Sequence, residues 1–209
     1  MSICINQPHK IPLKYENPVD KIFMSYATQN MHMYHDIGFT PNGITTLSIL
    51  FSLLSVHFLV NKQYELSALC FLINYYYDCM DGAMARCYDE VTKFGDYYDH
   101  ISDIINIIIF ILITTCYYNK KCSSSDAVYV FMTMITLSVL ILVHVGFQEI
   151  YYDKEKNSGD FFSDLLRSYG IDTKEDAEKY MPYTRYFGCG TYNLALAGFI
   201  FMLRYCKNQ

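Results

Sequence analysis

The chain is short of the features that mark several common functions. Lys and Arg number 16 against 21 Asp and Glu, giving a net charge of −5. There is no basic excess to grip nucleic acid. No stretch combines a basic start with an apolar core in the manner of a secretory leader, and the first 40 residues are polar and mixed. Internal repeats and low-complexity tracts are absent. The eight cysteines, at 4, 70, 79, 87, 116, 122, 189 and 206, include no C-x-x-C pair, and four fall inside apolar segments. They read as reduced packing residues, not as a disulfide framework. What is plentiful is apolar and aromatic: 52% of the 209 residues are hydrophobic, with 21 Tyr and 14 Phe.

That apolar content is gathered into runs. Five are long enough to read as membrane helices, at roughly 18–20 residues with few charges. They are Ile44–Val60, Leu66–Ala85, Asp99–Tyr118, Ala127–Phe147 and Tyr186–Tyr205. Stretches such as Ile104–Thr115 and Val128–Val145 are apolar all round, which suits a bilayer better than a soluble bundle with one wet face. The expected fold class is therefore all-α, a polytopic membrane helix bundle. Residues 1–43 read as a polar juxtamembrane segment and 44–209 as the membrane domain. Within 11–38, Tyr15, Ile22, Phe23, Tyr26, Met31 and Met33 alternate with charges. That segment reads equally as an amphipathic element on the membrane surface or as a simple tether. The 148–185 stretch is too charged to span, and Asp172 to Glu178 reads as the start of a short surface helix.

The second and third runs carry acids where an apolar segment should least tolerate them. Residues 78–103 contain Asp78-x2-Asp81-Gly82-x2-Ala85-Arg86-x8-Gly95-x3-Asp99-x3-Asp103. With average residue usage, eight fixed positions recur by chance on the order of 10^-10 per start site. Helical residues three or four apart share a face. Asp78, Asp81, Gly82 and Ala85 therefore line one stripe, and Asp96, Asp99, His100 and Asp103 another. Asp96 sits at the expected helix start, where a capping role is as good a reading as a site role. Four carboxylates between two apolar helices repel one another, and each costs several kcal/mol to bury unpaired, on the order of the penalty for a charge in a membrane. A divalent cation removes both problems. All-oxygen ligands without Cys or His at ligand spacing point to magnesium, manganese or calcium, not zinc. Small Gly82 and Ala85 admit a close ligand, and Arg86 offers a planar fork suited to phosphate.

This signature resembles that of the CDP-alcohol phosphatidyltransferase family. The preceding Thr40-Pro41-Asn42-Gly43-Ile44-Thr45 is similar to the start of that family's first membrane helix. The resemblance implies a membrane enzyme that transfers a phosphatidyl or phospho-alcohol group from a CDP-linked donor to a hydroxyl, releasing CMP. It implies that Asp78, Asp81 and Asp99 hold Mg2+ (or Mn2+), with Asp103 touching a second ion. Asp103 would also be the catalytic base. Asn42, Thr45, Gly82, Ala85, Arg86 and Gly95 would form the CDP pocket between the second and third helices. Smaller members have six membrane helices against the five counted here, so the expectation is five to six, with a short one hidden near 148–165 or the last one missing. A homodimer fits the resemblance; a nucleic-acid partner does not.

Two further readings concern side and substrate. Eleven of the sixteen Lys and Arg fall on the side of the 86–95 loop, which puts the site in the cytoplasm by the positive-inside rule. Between Phe94 and Asp153 the only cations are Lys120 and Lys121, at the far end of the helices. That favours a neutral lipid acceptor, diacylglycerol, with a CDP-aminoalcohol donor, and Asp99-His100 resembles the choline/ethanolaminephosphotransferase branch. Arg167 and Arg185 keep open the alternative, a CDP-diacylglycerol-dependent transfer to inositol or glycerol phosphate. His144, Gln148 and Glu149 read first as a polar cluster at the membrane interface. A non-enzymatic cation-binding membrane protein, such as a channel, would need neither Gly82 nor Arg86.

Overall fold

The computed structural model describes residue 4 and residues 7–9, 11–152 and 161–206. The order is α1 (Pro18–Asp36), α2 (Pro41–Val60), α3 (Tyr64–Cys87), α4 (Lys93–Lys121), α5 (Ser124–Tyr152), α6 (Phe161–Ser168), α7 (Lys174–Thr184) and α8 (Cys189–Met202). Short 3-10 turns at Arg185–Phe187 and Leu203–Tyr205 flank α8. There is no strand among the described residues.

Local chemistry sets the ends. Asn17 caps α1 by accepting from the Val19 and Asp20 amides, with Pro18 in the first turn. Thr40 caps α2, accepting from Gly43 N at 3.2 Å, and Thr92 caps α4, accepting from Gly95 N at 3.0 Å. Asp96 is therefore a first-turn residue of α4 and not its cap. Thr173 and Asp176 form a reciprocal capping box on α7. Gly38, at φ 95°, takes the left-handed conformation that turns the chain out of α1 toward α2.

Among the described residues, four helical stretches are long and apolar enough to cross a membrane: Pro41–Val60, Lys93–Lys121, Ser124–Tyr151 and Lys174–Tyr205. The expected Leu66–Ala85 span is α3, which is not among them because Glu65, Asp78, Asp81 and Arg86 interrupt its apolar content. At 24 residues it is still about 36 Å long. The expected Tyr186–Tyr205 span lies within the Lys174–Tyr205 stretch. Its helix begins at Cys189 after a break at Gly188, and α7 and the 185–187 turn extend it to make up its length. Of the segment in which a short sixth span was sought, 153–160 lies outside the described residues. The eight residues of α6 are too few to cross a bilayer.

The polar residues of the apolar α2 explain the packing around α3. Thr45, Ser48, Ser52 and Ser55 recur at helical spacing and are all buried. Ser48 accepts from Asn74 Nδ2 at 2.8 Å, and Ser52 donates to Asn106 of α4 at 2.6 Å. Ser55 and Ser67 donate to each other's carbonyl oxygens at 2.8 Å. Small hydroxylated residues let helices approach, and each such bond inside a membrane contributes roughly 0.6 kcal/mol. The outer faces of α4 and α5 carry exposed Ile101, Ile104, Ile108 and Leu112, and Val128, Met132 and Val139. These are side chains suited to lipid, not water.

Residues 18–36 form a packed helix and not a tether. α1 lies on α3 and α8, with Met24, Ala27 and Met31 buried and Ile22, Tyr26 and Met33 facing outward. The cysteine expectation is also corrected: Cys4–Cys87 and Cys122–Cys206 are disulfides, with Cα–Cα distances of 4.9 and 5.1 Å. Partners 83 and 84 residues apart leave no spacing signal in the sequence; only the fold brings them together.

Candidate functional site

The site is built where the C-terminal half of α3 meets the first three turns of α4 and the start of α2. Oxygens of Asp78, Asp99 and Asp103 all lie within 4.8 Å of one another. Asp81 is fixed differently: its Oδ2 accepts from Thr45 Oγ1 at 2.6 Å, and Thr45 also donates to the Pro41 carbonyl at 3.2 Å. The three-fold cluster is a fit for a hard divalent cation on two counts. It is all carboxylate, and Asp99 Oδ1 is buried with no hydrogen-bond partner, an arrangement costly without a positive charge.

Two cavities share this acidic wall. The larger, about 320 Å3, is lined by Asn42, Thr45, Asp81, Gly82, Ala85, Arg86, Gly95 and Asp99. The six residues assigned to a CDP pocket from the sequence thus border one space, at the lower end of the usual size for a small-molecule site. Its glycines are there for close approach. A Cβ on Gly95 would lie 2.8 Å from Asn42 Oδ1 and 3.0 Å from Thr92 Oγ1. One on Gly82 would lie 3.1 Å from Arg86 Nη1, so the guanidinium rests on the bare α3 backbone. Arg86 Nε donates to the Pro8 carbonyl at 2.7 Å. His100 and Asp96 also border this cavity, both exposed, with His100 Nδ1 3.6 Å from Asp96 Oδ1.

The smaller cavity, about 80 Å3, opens on the other side of the carboxylates. Asp78 and Asp103 line it, with Asn74, Asn106, Cys189 and Asn193 among its polar members. Sequence reading missed Asn74, Asn106, Cys189 and Asn193 as site residues. Their only signal was polarity inside apolar helices, which the pattern centred on α3 and α4 did not weigh. It also missed the knot that holds α1 and α8 beside this cavity. Asp20 accepts from the Tyr75 hydroxyl and the Gly190 amide, while Asn17 Nδ2 donates to the Arg185 carbonyl at 2.7 Å and Thr191 Oγ1 at 2.8 Å. Gly188 gives α8 no side-chain cap, so Asp20 serves its N-terminal amides from across the interface. His144 is buried on α5, its Nδ1 2.9 Å from Thr184 Oγ1; it packs against α7 and lines neither cavity.

Fold and site together define a polytopic helical membrane protein with an acidic centre between its helices. More narrowly, the chain belongs to the CDP-alcohol phosphatidyltransferase family, a family of phospholipid-synthesis transferases whose pattern matches residues 39–158. An archaetidylinositol phosphate synthase from Pyrococcus horikoshii is 29% identical over 94 residues, 45% of this chain and 46% of that protein. The chain thus spans about half the length of the curated relative it matches. No solved structure matches the chain.

Proposed function

We propose that this protein transfers a substituted phosphoryl group from a CDP-linked lipid to the hydroxyl of a polar alcohol, such as inositol phosphate or glycerol phosphate, with release of CMP. One observation carries the reading: Asp81 and Asp99 face one cavity, Asp78 and Asp103 face the other, and the carboxylates stand between them. A donor in the larger cavity and an acceptor hydroxyl in the smaller one would meet at that wall. Asn42, Thr45, Gly82, Ala85 and Gly95 shape the donor pocket, and Arg86 presents its fork to the diphosphate. Asp78, Asp81 and Asp99 would hold Mg2+ or Mn2+, with Asp103 as a further ligand. Such an ion neutralises the charge that develops on the transferring phosphoryl oxygens. Asp103 takes the proton from the acceptor hydroxyl.

The polar-alcohol acceptor is preferred over the CDP-aminoalcohol reading because the similar archaeal protein is named as an archaetidylinositol phosphate synthase. Arg167 and Arg185, read from the sequence as cations for an acceptor phosphate, line neither cavity: Arg167 lies 3.4 Å from Asp164, and Arg185 donates to the Lys14 carbonyl and the Tyr186 hydroxyl. The CDP-aminoalcohol to diacylglycerol reading stays as the second, since among the described residues no Lys or Arg lines the smaller cavity. The site is proposed to face the cytoplasm, with 1–43 a juxtamembrane element and 44–209 the membrane domain.

The test uses membranes carrying the expressed protein. Labelled CDP-diacylglycerol is supplied with inositol, inositol phosphate or glycerol phosphate, and CDP-choline or CDP-ethanolamine with diacylglycerol; labelled lipid and CMP are followed. The expected result is CMP release with CDP-diacylglycerol plus a polar alcohol, abolished by chelator and restored by Mg2+. Turnover with CDP-aminoalcohols alone would select the second reading. Full activity in excess chelator would remove the metal from the proposal.

A further inference from the structure

We propose that Glu90 reads the base of the nucleotide donor, its carboxylate accepting from the 4-amino group of cytosine, and that His35 of α1 holds that carboxylate in position. The inference rests on the donor-pocket reading above and adds the group that tells a cytosine from a uracil nucleotide. Its first support is where Glu90 stands. It lines the larger cavity with Val91 and Thr92, beyond the end of α3. Asp81 lines the same cavity six residues before that end, about 9 Å along the helix axis. The diphosphate belongs at the end that carries the metal ligands and Arg86. The ribose spaces the amino edge of the base from the phosphates by a comparable length, so the base falls toward Glu90. A carboxylate only accepts, and cytosine N4 is the base-edge donor that acidic side chains accept from. The uracil oxygen at that position has only lone pairs to offer, and a carboxylate facing it is repelled.

The second support is how the carboxylate is placed. Asp89, at φ 59°, takes the left-handed conformation just past α3, and the Glu90 amide turns back to the Ala85 carbonyl at 2.9 Å. This is the Schellman form of helix ending. It fixes the Glu90 backbone beside Ala85, which is itself on the cavity wall. The side chain is fixed from α1. His35 Nε2 lies 3.2 Å from Glu90 Oε1; because the carboxylate accepts, Nε2 carries the hydrogen. The His35 ring stacks on Tyr88 with centroids 3.7 Å apart, and the Tyr88 hydroxyl lies 2.6 Å from His32 Nδ1. The last two turns of α1 thus clamp the loop that borders the donor cavity. One carboxylate oxygen takes the His35 bond, and the other is the acceptor for the base. Asp96, the other acid on this cavity outside the metal set, is more exposed, 67% against 38% for the side chain, and sits on the α4 wall one turn from Asp99.

The experiment titrates the full-length protein, in lipid nanodiscs with Mg2+, with CDP and with UDP by calorimetry, without turnover. Wild type is compared with Glu90→Gln, Glu90→Ala, His35→Ala, His35→Gln, Asp96→Asn and Glu65→Gln. Glu65 is at the opposite end of α3, paired with Arg204. Wild type is expected to bind CDP at least about tenfold more tightly than UDP, the size of one hydrogen bond to a charged group. A Gln amide offers an acceptor or a donor, so Glu90→Gln should bring the ratio to about one, chiefly by gaining UDP. Glu90→Ala should lower the ratio by losing CDP. His35→Ala keeps the carboxylate but frees it, and should lower the ratio about threefold. His35→Gln can still donate to Glu90 and should restore it. Asp96→Asn and Glu65→Gln should keep the wild-type ratio. The proposal is overturned if Glu90→Gln keeps the preference for CDP, if it weakens both nucleotides equally, or if Asp96→Asn is the variant that loses the preference. CDP binding by wild type with an unchanged ratio in Glu90→Gln leaves the donor pocket standing and removes Glu90 from it. Binding of neither nucleotide by wild type ends the donor-pocket reading itself, and the role of Glu90 with it.

Discussion

At the scale of single residues the acids divide by surroundings. Asp81 is anchored by Thr45 and faces the donor cavity, whereas Asp103 faces the smaller cavity beside Asp78. Removing a base costs the acceptor's activation, about 10^2–10^4-fold in rate, and need not weaken the donor. Asp103→Asn is therefore expected to keep CDP-donor affinity better than Asp78→Asn while losing transfer by that factor. Donor titration and single-turnover rates on both variants check it. Normal turnover by Asp103→Asn would return the role of base to another group.

At the scale of elements, the α1–α3–α8 contact depends on one half-buried acid, Asp20. Burial pushes the Asp20 carboxyl up from 3.8 to about 6, outweighing the Tyr75 hydroxyl and Gly190 amide that favour its charge, and Glu16 adds repulsion. The folded protein thus holds this proton between about pH 4 and 6, where the unfolded chain has lost it. The group's stabilisation is fully present below the unfolded value and is lost as pH rises through about 6. A shift of this size corresponds to about 3 kcal/mol. Melting temperatures of wild type and an Asp20→Asn variant should diverge in favour of Asp20→Asn between pH 4 and 7. A constant difference across that range would mean that Asp20 does not titrate there. Gly190 belongs to the same contact, since a Cβ there would overlap the Asp20 side chain and the Asp20 amide.

At the scale of the whole molecule, α2, α4 and α5 expose apolar faces, while the acidic centre and the 88–92 loop lie at one end of the bundle. A polar nucleotide and a lipid reach one wall only if that end opens to both water and bilayer. The cytoplasmic placement is tested with a cysteine at Lys93, because Cys87 is buried in a disulfide. In sealed right-side-out vesicles, an impermeant thiol reagent should label Lys93→Cys only after permeabilisation. Labelling of intact vesicles would reverse the orientation and place the Cys4–Cys87 bond on an oxidising side.

The sequence by itself determined the helical membrane class, the acidic pattern on α3 and α4, and the small residues beside it. These are matters of local period and composition: apolar runs of spanning length, and Asp, Gly and Ala three or four residues apart on one helical face. Asn42 and Thr45 were legible too, through a short motif next to a cap. The tertiary structure alone decided the rest. That Asp78, Asp99 and Asp103 converge while Asp81 turns to Thr45 depends on how α2, α3 and α4 rotate against one another, which no single-helix period encodes. Cys189 and Asn193 come to the smaller cavity from the far end of the chain to meet Asp78 and Asp103, and Asp20 comes from the other end to bond Tyr75 and Gly190 beside it. Cys4 and Pro8 reach Cys87 and Arg86 across about 80 residues. Contacts that distant leave no spacing in the sequence, because the turns and packing between them, not the intervening residue count, fix where the two ends meet.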